Sequence, residues 1–220
     1  MKELTSRQQQ ALQTKQKIRN TSIDLIQRES YEKLTMNRIA AEAGISVGTL
    51  YHHYASKEEL FFSGYQAFDD MVAELASSFT FSSSVCAIRS VVYAQAVGAF
   101  HRGVNYISSI LSIQLSAYGQ KFYNEDRAFP RYVLHLVEQA VADHELTAPS
   151  GCREVADSIL RISRGCIFDC AVRKQANSID SLLLHDLNRL LASYQVQPSL
   201  LSAPIDLCWH KAFVEWGAAH

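Results

Sequence analysis

Proline and glycine are scarce in this chain, with four and nine residues among 220. So few breakers exclude a fold of many short strands and tight turns. No run alternates apolar and polar residues for long enough to make a half-buried strand. No stretch reaches about 18 uninterrupted apolar residues, so no transmembrane helix is expected. The opening MKELTSRQQQALQTKQKIRN is polar and lacks the apolar run of a signal peptide. Cysteines occur at 86, 152, 166, 170 and 208, an odd number with no C-x-x-C pair. That argues against a small disulfide scaffold and fits a reducing cytoplasm. Also missing are H-E-x-x-H, a Glu-x-x-His pair repeated across helices and a nucleophile elbow. An enzyme is therefore not expected, and neither a cofactor nor a bound metal is.

What is present is hydrophobic content of 48%, enough in a chain of this length for a substantial core. Charge is unevenly spread. Residues 1–57 hold nine Lys/Arg against five Asp/Glu, and the remainder holds twelve against seventeen. A basic head on an acidic body suggests that only the head meets a polyanion. Apolar periodicity predicts helices throughout. The first runs from Ser6 to Glu29 and is ended by Ser30-Tyr31. Short helices follow over about 36–43, capped by Thr35, and about 47–53, capped by Ser46. A fourth runs from Ser56 to about Ser77, with Ser56 and Glu59 spaced as a capping box. SSFTFSSS (77–84) is a break. Further helices are expected over about 85–101, 105–118, 127–144, 152–175 and 179–193. Loops lie at 118–126 and 146–151, and a linker at 195–204. A last amphipathic helix carries Leu207, Trp209, Phe213 and Trp216.

Two short helices joined through a glycine are a helix-turn-helix. Ile39, Ala40 and Ala43 form the inner face of the first. Gly44 makes the turn, Ile45 plugs the corner, and Leu50 and Tyr54 face inward from the second. The outer face of the second helix then shows Ser46, Val47, Gly48, Thr49, His52 and His53, with no carboxylate among them. His52 and His53 do not make a helical metal pair, because adjacent residues diverge by about 100° and a pair needs i, i+3 or i, i+4.

The stretch TMNRIAAEAGISVGTLYHHYASKEEL, residues 35–60, resembles the DNA-binding motif of the TetR family of bacterial transcriptional regulators. The preceding helix is a looser match, with Thr21-Ser22 where two alanines are common and Ser30 where glycine is. The resemblance implies an all-α fold: a three-helix DNA-binding domain over residues 1–55, and a helical bundle for ligand binding and dimerisation over residues 56–220. It implies that Thr35 caps its helix against a phosphate, and that Asn37 and Val47 reach base edges. Gly48 and Thr49 allow close approach in the major groove, and Ser46 lies on the same DNA-facing side. Tyr51, His53 and Lys57 contact phosphates, and His52 projects beside them. Lys17 and Arg38 are additional candidates for backbone contacts.

In the body, residues 153–175 and 179–194 read as long amphipathic helices, similar to the pair that makes the family's dimer interface. Ile159, Ile162, Cys166, Leu183, Leu187, Leu190 and Leu191 are the expected interface residues. Reading a two-fold operator also requires two heads. Cys166 and Cys170 share a helical face and read as buried structural residues. Tyr65, Phe68, Phe100, His101, Tyr106, Gln114, Tyr118, His135 and Phe168 are candidate ligand contacts, suited to a mostly apolar or aromatic effector. The expectation is a cytoplasmic homodimeric repressor that binds a palindromic operator and is released by that effector. The alternative is a DNA-binding protein of the same fold whose body answers to a protein partner, or to nothing small.

Overall fold

The computed structural model describes residues 5–29, 31–124 and 126–219, with side chains as far as Glu215. Ser30 and the Trp216 side chain, both named in the expectations above, lie outside the described residues. Every regular element among the described residues is helical. In chain order these are α1 (Ser6–Arg28), α2 (Met36–Glu42), α3 (Val47–His53), α4 (Lys57–Leu75), α5 (Ser84–Phe100), α6 (Val104–Gln114), α7 (Ala128–Ala142), α8 (Cys152–Arg173), α9 (Ile179–Ser193), α10 (Pro198–Ser202) and α11 (Cys208–Ala219).

Two boundaries differ from the periodicity. The helix expected over 105–118 stops at Gln114 and gives way to a 3-10 turn, Gly119–Tyr123. Gly119 packs directly on the Gln114 carbonyl, where any Cβ would collide, so the chain folds back instead of continuing. The linker at 195–204 contains α10, begun by Pro198, a residue suited to the first helical position because it has no N–H to satisfy.

The chain divides into two compact units. One gathers the chain up to Ala67 with Asn105–Phe122, and the other gathers Phe68–Val104 with Tyr123–Ala219. The division falls within α4, whereas the sequence suggested one at its start, between 55 and 56.

The first unit is organised by a small core. Ile18, Leu25 and Ile26 of α1, Leu34, Ile39, Ala40 and Ala43 around α2, and Leu50, Tyr54 and Leu60 beyond it are all buried. Each buried Ile or Leu contributes roughly 1.5–3 kcal/mol. Ser22, where the family more often has alanine, is buried at 1% exposure. Its hydroxyl donates to the Ile18 carbonyl at 2.7 Å, so the polar group is satisfied within its own helix.

The second unit is built around α5. Val85 to Val92 are buried without interruption. A helix buried on every side belongs in an interior, and α7, α8, α9 and α11 pack on it. Phe213 of α11 lies so close to α5 that a Cβ on Gly98 would strike its ring. Trp209 of α11 is wholly buried and stacks on Tyr132 of α7. The last amphipathic helix expected from the sequence is thus α11, with Trp209 and Phe213 on its packed side and Leu207 exposed just before it.

Candidate nucleic-acid interface

The turn between α2 and α3 is specified residue by residue. The Thr35 hydroxyl accepts from the Arg38 N–H at 3.2 Å and caps α2. At the other end, the Gly44 N–H donates to Ala41 O at 3.1 Å and the Ile45 N–H to Ala40 O at 3.0 Å. That pair of bonds is a Schellman motif and needs a left-handed residue at Gly44, whose φ is +62°. Any other L-residue here would be strained. Ser46 then caps α3: its Oγ accepts from the Thr49 N–H at 3.0 Å and shares a 2.8 Å bond with the Thr49 hydroxyl. Leu50 and Tyr54 are buried and pin α3 against the unit.

With that face pinned, the opposite face is open. Thr35, Asn37, Ser46, Val47, Gly48, Thr49, Tyr51 and His52 are exposed, and His53 and Lys57 are half-buried. Tyr51, 52% exposed, is thus a surface group rather than packing against α1. None of these ten carries a carboxylate. Burial, helped by His52 and Lys15, pulls the His53 imidazole below its ordinary pKa. Near neutral pH it is a neutral donor.

Two cations expected at the backbone already have protein partners. The Lys57 ammonium donates to Tyr31 O at 3.1 Å and Leu34 O at 3.3 Å, and sits 4.0 Å over the Tyr31 ring. It therefore holds the segment leading into α2. Arg38 pairs with Glu29 at 3.4 Å and Glu42 at 4.0 Å. Exposed pairs of this kind are worth under about 1 kcal/mol, so a phosphate can displace them. At the start of α4 the capping box is altered. Ser56 Oγ accepts from Glu59 N–H at 3.2 Å, but the Glu59 carboxylate takes the N–H of Ala55 at 2.7 Å, one residue earlier than expected.

The ligand candidates fall into both units. Tyr65, Tyr106, Gln114 and Tyr118 are in the first, where Tyr65 packs on Phe122 and Tyr106 on Phe61. Phe68, Phe100, His101, His135 and Phe168 are in the second. There Phe68 packs on Phe129 and Phe213, Phe100 is buried, and His101 and Phe168 are exposed. A cavity of about 560 Å³ opens in the second unit between the 76–84 loop, the start of α5 and α7. Of the nine candidates only His135 lines it. Phe79, Phe81, Tyr132, Leu136, Gln139, Asp143 and Glu145 complete much of the wall. Two phenylalanines inside a serine-rich break are the one local signal for this site, and by itself SSFTFSSS reads only as a break.

The dimer candidates divide by burial. Ile159, Cys166, Leu183, Leu187 and Leu191 are buried within the single chain, where α8 and α9 pack on each other and on α5. Ile162 and Leu190 are partly exposed. The free apolar surface of α8 is instead Phe168, 51% exposed, and Val172, 64% exposed. Gly165 lies one turn before Phe168, and a Cβ there would meet nothing within 4 Å. Cys166 and Cys170 are both buried, as expected. Burial and then the Asp186 carboxylate push the Cys166 thiol up to about 11, the opposite of what a thiolate sensor requires.

Comparison with known proteins agrees with this geometry. Residues 18–63 match the family model described as bacterial regulatory proteins, tetR family. An HTH-type transcriptional regulator of Staphylococcus aureus (strain bovine RF122 / ET3-1) is 42% identical over 52 residues. That match covers 24% of this chain and 28% of the relative, so the chain spans little more than a quarter of that relative's length. Full-length TylP, a TetR regulator from Streptomyces fradiae, superposes with a TM-score of 0.69 at 16% identity, over 94% of this chain and 98% of its own. The transcriptional regulator FadR from Bacillus subtilis, solved in complex with stearoyl-CoA, gives 0.67 at 14%, over 80% and 97%. Members of this family are transcriptional regulators and not enzymes. Residues 18–63 thus carry the DNA-binding sequence of the tetR family, and the chain shares the fold of solved TetR regulators.

Proposed function

We propose that this chain is a cytoplasmic, homodimeric repressor that binds a roughly palindromic operator and is released by a small effector. The observation that carries the reading is α3, pinned by Leu50 and Tyr54 and presenting an exposed face of small, polar and neutral groups. Such a face fits the major groove, with Asn37 and Val47 toward base edges. Thr35, Tyr51, His53 and the remaining donor of Lys57 serve phosphates. One head reads few base pairs, so two are needed, one helical turn apart.

Pairing across α8 and α9 would bury Phe168 and Val172 around Gly165. A mid-helix glycine costs about 1 kcal/mol relative to alanine, a cost that close approach of a second helix offsets. The interface then uses the outer face of α8 with Ile162 and Leu190, while Ile159, Leu183, Leu187 and Leu191 support it from beneath. The effector reading rests on the 560 Å³ cavity, a size that suits a small organic molecule. Phe79, Phe81 and Tyr132 favour an aromatic body, and Asp143 and Glu145 oppose a polyphosphate. That FadR from Bacillus subtilis was solved with stearoyl-CoA supports a small-molecule effector on this fold. Binding releases DNA to the extent that the effector favours the non-binding form.

Two measurements test this. Selection from a random-sequence duplex pool is expected to enrich a two-fold site bound by a dimer. A Phe168→Arg/Val172→Glu chain is expected to sediment as a monomer and to lose most operator affinity. No enrichment of any sequence would remove the DNA-binding reading, and an unchanged sedimentation coefficient would remove the α8 interface.

The His53 imidazole gives a pH prediction. A phosphate beside it favours the protonated form, so its pKa rises from the depressed free value on binding. Binding then takes up a proton, and affinity increases as pH falls from about 8 toward 6. Titrating operator affinity against pH is expected to show that rise, and His53→Gln to flatten it.

A further inference from the structure

The first two turns of α1 bury nothing in their own unit. Residues 5–13 are exposed at every position, and the first buried residue of the helix is Ile18. Between Thr5 and Ile23 there are four Lys/Arg and no Asp/Glu. Glutamines fill positions 8, 9, 10, 13 and 16. A helical segment this short, with Leu12 as its one large apolar residue and that exposed, is marginal in water on its own. Its start is nonetheless well specified, because Thr5 and Gln8 form a complete capping box. A helix started firmly whose first two turns stand exposed calls for an outside partner.

Position and charge indicate which partner. The Lys17 ammonium stands 3.8 Å from where a Cβ would sit on Gly44, the residue that makes the turn into α3. Lys15 is near enough to His53, at the end of α3, to be felt electrostatically. The arm therefore leaves the unit from beside the helix proposed to enter the groove. From Lys15 back to Thr5 it extends about 15 Å at 1.5 Å per residue, the length of about four base pairs. Arg7, Gln10, Thr14 and Lys15 fall within an arc of about 140° on its surface.

We infer that residues 5–17 are a second DNA contact, a basic, glutamine-rich helical arm that follows the phosphate backbone outside the half-site read by α3. This rests on the DNA-binding reading above. The partner is duplex DNA, since an acid-free run of cations and amide donors fits phosphates, while Leu12 is the single large apolar side chain it offers a protein partner. The arm adds affinity and salt dependence but no sequence preference, because it touches only the backbone.

The test compares the full chain with an Arg7→Gln/Lys15→Gln chain on one duplex, selected by the unmodified chain from a random pool. Both positions are exposed and glutamine is a good helix former, so thermal melting is expected to be unchanged. The slope of log affinity against log salt is expected to fall by about 0.9 for each phosphate no longer neutralised, about two phosphates per head. The hydroxyl-radical footprint is expected to shrink by its outer few bases on each side, with the selected sequence unaltered. Equal slopes and equal footprints for the two chains would overturn the arm. If the unmodified chain selects no duplex at all, the DNA-binding reading fails first.

Discussion

Gly48→Glu is expected to leave the head folded and to abolish operator binding. Gly48 is the second residue of α3, and a Cβ built on it meets only the Ser46 hydroxyl, at 3.8 Å. The fold therefore has room for a side chain there. Glycine inside a helix is also less stable than alanine by up to about 1 kcal/mol, so Gly48→Ala is expected to raise the melting temperature slightly. Nothing within the chain explains why the position lacks a side chain, but close approach to a base edge does. A glutamate would add bulk and a negative charge where the duplex is most negative. The expected loss is at least a hundredfold in affinity, or about 2.8 kcal/mol. Gly48→Ala is expected to fall in between, more stable and a weaker binder. Fluorescence anisotropy with the selected duplex, beside thermal melting, separates the two effects. A Gly48→Glu chain that binds as tightly as the parent would mean that this face does not approach DNA.

Arg89→Ala is expected to cost the second unit about 3–5 kcal/mol. Arg89 lies on α5 at 4% exposure, and its acceptors are a side-chain amide and two backbone carbonyls. Its Nε donates to Asn188 Oδ1 of α9 at 3.0 Å, and Nη1 donates to Leu200 O at 3.0 Å and Ala203 O at 2.7 Å. Burial pulls its pKa below the ordinary value, with Cys86 opposing, yet an arginine stays charged in any protein interior. The two carbonyls belong to α10 and the residue that follows it, a segment with no buried residue of its own. Asn188 reinforces the link by donating to Leu201 O at 3.2 Å. Removing the guanidinium leaves a cavity and buried acceptors without donors, both large penalties. The expected readout is a drop of about 10 °C in melting temperature, with earlier proteolysis near 198–203. Arg89→Met restores volume without donors and is expected to recover only part of the loss. Should Arg89→Ala melt within a degree or two of the parent, the α10 segment is held by something else.

How much of the molecule is legible in its sequence follows from the range of the interactions involved. The α2–α3 turn is legible because its determinants lie within about twenty residues. Thr35 and Ser46 cap, Gly44 supplies the positive φ, and Leu50 and Tyr54 mark the inner face by spacing alone. Lys57 is only half legible. Its place in the motif can be read, but its hold on the Tyr31 and Leu34 carbonyls spans 26 and 23 residues of sequence. The cavity escapes a sequence reading because Phe79 and Phe81 acquire meaning only when Tyr132 and Glu145, far along the chain, stand beside them.

By itself, then, the sequence determined the helical class, the helix-turn-helix and the residues that α3 turns outward, since capping, handedness and 3.6-residue periodicity act locally. Tertiary structure alone decided which apolar stripe of α8 and α9 belongs to the monomer. Leu183, Leu187 and Leu191 recur every four residues, a pattern equally suited to a partner subunit or to the chain's own core. The pattern records that a face is apolar and not what covers it. Here α5, buried on every side, and α8 cover that face. Phe168 and Val172 are left on the outside.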